Sequence, residues 1–325
     1  MKINKQKFEW INEAIAREIG KGWGNRLKIY MDIFFSRTVL GALPHDYMIL
    51  EFYKKNWFER SKYMTYYREI KLIDKIGDEK GISSIGGGKR QFNTIFSDYI
   101  CREWLWVAEC TSDEFCAFVK KHKSVLIKTN GTCSGDNIYK YNYTNDYEAV
   151  QEYEKIKKQH TLVEEILQQH HSIAEFNPAS VNTVRIATLY HKGNIHLLSS
   201  AMRIGAGDVP TDNLHGKGVA VAVDLETGLT ISRGYTNLCE QYLLHPVSLK
   251  PLIGFQIPNW NIAKETVLKA AELAYKEIGS KFIGWDVAIL ENGVALIEAN
   301  PHQANDLLQI GRSGIWKKIK DILDE

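Results

Sequence analysis

The chain has 325 residues, too many for one minimal core and enough for two or three subdomains. Hydrophobic residues make up 44% and charged residues 25%, as in ordinary globular proteins, and a formal net charge of +2 excludes the basic excess of a nucleic-acid footprint. The five cysteines (Cys101, Cys110, Cys116, Cys133, Cys239) include no C-x-x-C pair, which argues against a disulfide framework or cysteine zinc site and for reduced thiols in a cytoplasmic protein.

The N-terminus has no apolar signal core, and no window approaches the ~18 apolar residues of a transmembrane segment. Phe8, Ile11, Ile15 and Ile19 mark one face of an amphipathic helix, read either as packed or as lying on a membrane surface. Residues 1–75 read as helical and rich in aromatics, and 81–88 (GISSIGGG) as a loop. Thr111 and Glu114 form a capping box that opens a helix with Phe115, Phe118 and Val119 on one face. Residues 125–128 follow as a strand, 131–136 as a turn, 146–160 as a charged helix and 161–167 as a short apolar run. From residue 180 the texture changes: 181–190, 196–204 and 218–225 are β-rich runs separated by glycine-containing turns. An amphipathic helix over 261–278 and a hairpin over 286–298 complete an α+β pattern with mostly antiparallel strands in its second half.

The hairpin admits two registers. A three-residue loop, Glu291-Asn292-Gly293, closed by a bulge glycine pairs Leu290 with Val294 and sets Asp286 opposite Glu298, with Asn300 on the same face. Two facing carboxylates repel unless a cation lies between them, and magnesium suits this all-oxygen set. A two-residue Asn292-Gly293 turn instead puts Asp286 and Glu298 on opposite faces as unrelated acids, and spacing alone leaves both registers open.

An ordered series of motifs bears on the choice: VLIK (125–128), LVEEIL (162–167), SVNTVR (180–185), Asp212-Asn213 with Gly216 and Gly218, GWD (284–286) and IEAN (297–300). Over about residues 85–305 this series resembles the ATP-grasp superfamily, and more closely its sugar-transfer-associated branch, linked with surface-polysaccharide biosynthesis. The resemblance implies an α+β ATP-grasp fold with the nucleotide between two α+β subdomains and a helical N-terminal region. The expected divisions are 1–110 (N-terminal helical region), 111–170 (small lid subdomain) and 171–325 (C-terminal subdomain with the metal hairpin).

The resemblance also implies ATP and Mg2+ as cofactors, with Asp286, Glu298 and Asn300 as metal ligands. Lys128 matches the lysine that reaches the phosphates, and Glu164, Glu165, Ile166 and Leu167 match the hinge against adenine. Asn182 and Arg185 match the branch's asparagine–arginine pair; Arg185 reads either as a clamp on phosphate or carboxylate or as a structural ion pair. Ser134 and Gly135 belong to the expected phosphate lid, and Lys217 interrupts a paired glycine at Gly216 and Gly218. Gly86-Gly-Gly-Lys89 is not a P-loop, because Arg90 stands where Ser or Thr is required. Lys89 still matches an early phosphate lysine. Arg185, Arg203 and Lys217 are the expected catalytic cations, and His215 and His245 are substrate-contact candidates.

The activity implied is an ADP-forming carboxylate–amine ligase acting through an acyl phosphate. Its substrates are small molecules: an amino acid or other amine, and a sugar or sugar-nucleotide carboxylate. Peripheral association with polysaccharide machinery is implied as well. The competing readings are a kinase-like phosphotransferase, a non-catalytic nucleotide-binding partner of a glycosyltransferase and a calcium-binding hairpin without ATP.

Overall fold

The computed structural model describes residues 5–20, 22–78, 88–129, 138–207, 212, 218–301 and 303–325. Two antiparallel sheets organise the chain. The small one has the order β1-β4-β2-β3, from β1 (Trp104–Trp106), β2 (Ser124–Lys128), β3 (Ile138–Asn142) and β4 (Leu162–Glu165). The large one has the order β11-β10-β5-β6-β7-β8-β9, from β5 (Thr183–His191), β6 (Asn194–Ile204), β7 (Val219–Val223), β8 (Thr230–Tyr235), β9 (Gln241–Tyr242), β10 (Phe282–Leu290) and β11 (Gly293–Asn300).

Helices α1 (Lys5–Glu18), α2 (Trp23–Leu40), α3 (Pro44–Ile49), α4 (Trp57–Arg60) and α5 (Tyr66–Ile76) form the N-terminal region. Further along come α6 (Lys89–Ile95), α7 (Ser97–Ile100), α8 (Ser112–His122), α9 (Asp146–Ile156), α10 (His171–Ala174), α11 (Trp260–Ile278) and α12 (Trp316–Asp324). The expected capping box starts α8: Thr111 Oγ1 accepts from the Glu114 amide at 3.3 Å, and Glu114 Oε2 from the Thr111 amide at 2.7 Å. Phe115, Phe118 and Val119 of that helix then pack on Val125, Ile127 and Val163 of the small sheet.

The large sheet is covered on both faces, so its strands β5, β7 and β10 are buried along almost their whole length. Val184, Ile186, Trp285 and Val287 meet Ala263, Val267 and Ala270 of α11. Residues of the opposite parity, among them Ala201 and Ala220, meet the N-terminal helices, whose Ile15, Tyr47 and Phe52 share that core. The N-terminal region is thus one cover of the large sheet rather than a detached unit. The small sheet begins at Trp104, ahead of the expected boundary at 111, because Trp104–Trp106 pairs with Leu162–Glu164. Among the described residues no helix is long and apolar enough to cross a membrane.

Candidate active site

The hairpin reaches the expected alignment by an unexpected route. Leu290 pairs with Gly293, leaving Glu291 and Asn292 as a two-residue turn, so neither turn register anticipated from the sequence is present. This register, one residue out, would bring Asp286 opposite Ile297. A β-bulge between Asp286 and Val287 corrects it: Val287 pairs with Leu296 but Asp286 with Glu298, leaving Ile297 as the extra residue. The two acids therefore face each other after all, and Asn300 pairs with Gly284 two positions on.

Across the sheet, Asp286 also pairs with Arg185 of β5. The contact is a bidentate fork: Arg185 Nε and Nη2 donate to the two Asp286 oxygens at 2.7 Å each. Arg203 Nη1 adds a third bond to Asp286 at 2.7 Å, and its Nη2 lies 3.0 Å from Asp212. Asp212 in turn accepts from the amide and hydroxyl of Thr183. Small neighbours make room for the two guanidinium groups: Arg185 pairs with Ala201, and Arg203 with Ala220.

Charge decides how these acids differ. Burial disfavours ionised Asp286, but Arg185 and Arg203 outweigh it and hold the carboxyl below its ordinary range. Desolvation by the surrounding atoms and then the opposing Asp286 charge push Glu298 above its ordinary range, although Arg185, Arg203 and Lys128 pull the other way. Solvent reaches Glu298, whereas Asp286 is 3% exposed. The Asn300 amide, oriented by its neighbours, accepts from Arg185 Nη2 at 3.0 Å and donates to Glu298 Oε1 at 3.2 Å.

Lys128 ends β2 and ion-pairs with Glu164 on the adjacent strand β4. Glu164 is 1% exposed and also accepts from Arg102 Nε at 2.8 Å and Asn93 Nδ2 at 2.9 Å. Burial opposes its charge, but Lys128 and Arg102 overcome that and lower its pKa to about 2. Arg102 then donates to the carbonyls of Leu296 at 2.7 Å and Ile297 at 3.5 Å. These are the carbonyls of the bulge that aligns Glu298. One buried arginine thus ties the acid holding Lys128 to the strand carrying Glu298. Sequence reasoning passed over Arg102; its one signal is an arginine two residues from the start of β1.

Other expected site residues are placed differently. The Glu164 carboxylate is engaged by Lys128 and Arg102, and its position pairs with Trp104 and Leu126. Glu165 accepts from the Glu103 amide at 3.1 Å and donates its own amide to the Glu103 carbonyl at 3.0 Å. Ile166 and Leu167 follow the strand, half-buried, and their backbone groups make no hydrogen bond with any described residue. They are the part of the expected hinge with backbone polar groups free.

The Asn182 side chain is engaged by protein groups on both its atoms. Its side-chain nitrogen donates to the carbonyls of Ile173 (3.2 Å) and Asn177 (3.0 Å), and its oxygen accepts from Ser180 Oγ and the Gly205 amide at 3.0 Å each. That pattern staples loops rather than binding a ligand. His245, fully buried and depressed in pKa by burial, bonds the Gly205 carbonyl at 3.0 Å, which is also structural. Lys89 is the first residue of α6 and makes no ion pair with any described residue. Ser134, Gly135, His215 and Lys217 lie outside the described residues. Gln303, which no motif signalled, is fully buried against Gly284, and its side-chain amide meets no partner among the described residues.

A model of sugar-transfer associated ATP-grasp proteins matches residues 105–323. The chain belongs to this ATP-grasp family. The match spans both sheets and every residue of the two clusters except Asn93 and Arg102. No curated protein matches the chain. Among solved structures, the chain is similar to D-alanyl-alanine synthetase A from Vibrio cholerae, with 12% identity and a TM-score of 0.41 over 76% of this chain and 66% of that one. It is similar also to the ATP-grasp ligase PsnB complexed with a phosphomimetic variant of its minimal precursor, Mg and ADP, with 11% identity and a TM-score of 0.44 over 96% and 73%. A third is N5-carboxyaminoimidazole synthase from Aspergillus clavatus, at 10% identity and a TM-score of 0.41 over 71% and 50%. The chain thus spans about half to three quarters of the length of these distant structures.

Proposed function

We propose that the protein is an ATP- and magnesium-dependent carboxylate–amine ligase. The observation that carries this is the single row Glu298–Asp286–Arg185, joined by Arg203 and Asn300 and linked through Arg102 to Lys128, in a chain of the ATP-grasp family.

The donors fit magnesium. They are all oxygen, solvent reaches Glu298, and Glu298 faces the Asp286 carboxylate, whose charge adds to desolvation in raising its pKa. Glu298 would hold the ion, joined by the Asn300 amide oxygen when that amide turns from Arg185 to present its oxygen beside Glu298, with Asp286 sharing an oxygen already bonded to a guanidinium. Magnesium held there would neutralise phosphate oxygens.

The residues themselves do the positioning. Lys128 supplies a fixed positive charge towards the phosphates, oriented by Glu164. The free backbone groups of Ile166 and Leu167 read the adenine edge. A substrate carboxylate oxygen attacks the γ-phosphorus and the bond to the ADP oxygen breaks. The amine then adds to the acyl carbon and phosphate departs, the amine proton passing to the phosphate or to solvent. Arg185 and Arg203, fixed by Asp286, face the negative charge that develops in both steps.

The family's association with sugar transfer favours an amide between an amino acid and a sugar, in surface-polysaccharide biosynthesis. The test is an ADP-release screen of amino acids crossed with uronic-acid and amino-sugar nucleotides. The expected result is ADP release dependent on both substrates, with a product mass equal to their sum less water. A stable phosphorylated product, or no ADP release with any pair, refutes ligation.

A further inference from the structure

Away from the catalytic row, the chain leaving the small sheet lies against the tip of the β10–β11 hairpin. The His170 amide donates to the Ile289 carbonyl at 2.7 Å, and Gln169 bridges to Leu290. Asn259 pins the same tip, its Nδ2 lying 2.8 Å from the Leu290 carbonyl. This docking brings His170 and His171 against Glu291 in the two-residue turn.

We propose that His170, His171 and Glu291 form a binding site for a borderline divalent ion of the zinc class. One ligand atom from each lies within 4.8 Å of the others. Zinc bonds of ~2.0–2.1 Å in tetrahedral geometry need ligand atoms about 3.3 Å apart. Here His171 Nδ1 lies 2.9 and 3.2 Å from the two Glu291 oxygens, and His170 Nε2 lies 3.6 Å from Glu291 Oε2. Two edges of the tetrahedron therefore stand close to the required length; the two imidazoles are stacked with centroids 4.4 Å apart, and the third edge requires His171, whose side chain is 71% exposed, to turn.

The site is also buttressed. His170 Nδ1 accepts from the Ser172 amide at 3.3 Å and lies 2.9 Å from Ser172 Oγ; ligation through Nε2 moves the ring proton to Nδ1, where Ser172 Oγ accepts it. The His171 amide donates to Glu291 Oε1 at 2.7 Å and fixes the carboxylate. Two imidazoles with one carboxylate, and room for water as the fourth ligand, suit zinc or a neighbouring transition ion rather than magnesium. A bound ion would clamp the segment that follows Ile166 and Leu167 to the hairpin that carries Asp286 and Glu298.

The experiment is calorimetric titration and thermal unfolding of the untagged, chelator-treated chain with ZnCl2, and separately with MgCl2. The expected result is one saturable zinc site and a rise in unfolding temperature that equimolar magnesium does not produce. His171→Ala, at an exposed position, and Glu291→Gln should each weaken zinc binding at least tenfold. Cys101→Ser, which removes an exposed thiol, should leave it unchanged. Absence of a saturable site, or zinc binding that survives both His171→Ala and Glu291→Gln, overturns the proposal. ADP release by these variants with magnesium and no zinc stays at the wild-type level, so this outcome is independent of the ligase reading.

Discussion

Replacing Glu164 by Gln removes one charge and little volume from the centre of the Lys128–Glu164–Arg102 cluster. The carboxyl pKa falls from 4.5 to about 2 on folding. A shift of that size corresponds to about 3 kcal/mol of stability. The sign follows from the depressed folded-state value. The contribution is fully present above pH 4.5, declines as the pH falls towards 2, and is gone below that. Glu164→Gln cannot titrate, so the wild-type advantage over it isolates this group. That advantage is expected to be about 3 kcal/mol at pH 7 and about 1 kcal/mol at pH 3. Urea unfolding of both proteins at the two pH values, followed by tryptophan fluorescence, measures the difference. A gap that stays the same within about 0.5 kcal/mol refutes the claim that Lys128 and Arg102 hold Glu164 ionised in the folded protein.

Other substitutions separate the roles of neighbouring residues. Glu298→Gln should lower ADP release roughly 100-fold or more while the unfolding midpoint barely moves, because solvent reaches that side chain. Asp286→Asn should instead destabilise by about 3–5 kcal/mol in denaturant unfolding, since it leaves Arg185 and Arg203 buried without their shared carboxylate. Leu167→Pro removes one backbone donor at the proposed adenine edge and should weaken ATP binding roughly tenfold relative to Leu167→Ala, read by calorimetry. Asn182→Ala should cost about 1–3 kcal/mol of stability and leave the KM for ATP unchanged, because its bonds are to loop backbone and side chains.

Local patterns were enough for much of this protein. The Thr111–Glu114 box fixes the start of α8, 3.6-residue periodicity marks α11, and apolar runs mark β5 to β7, because each signal is carried by residues close in the chain. The ordered motifs likewise made the ATP-grasp family legible. What spacing could not decide was the hairpin register. The turn is one residue out of step with the site, and only the bulge at Ile297, to which Arg102 donates from a distant segment, brings Glu298 opposite Asp286. The use of the acids was equally hidden. Glu164 reads in sequence as a neighbour of Glu165, yet the alternation of a strand sends them to opposite faces, one into a buried ion cluster and the other to the Glu103 backbone. Asn182 and Arg185 share a motif, but the first is consumed by loop backbone while the second grips Asp286. Sequence thus supplies the chemical groups and their order along the chain. Which groups are saturated by protein and which remain for a ligand depends on partners as far as 195 residues away in the site, and folding alone brings those together.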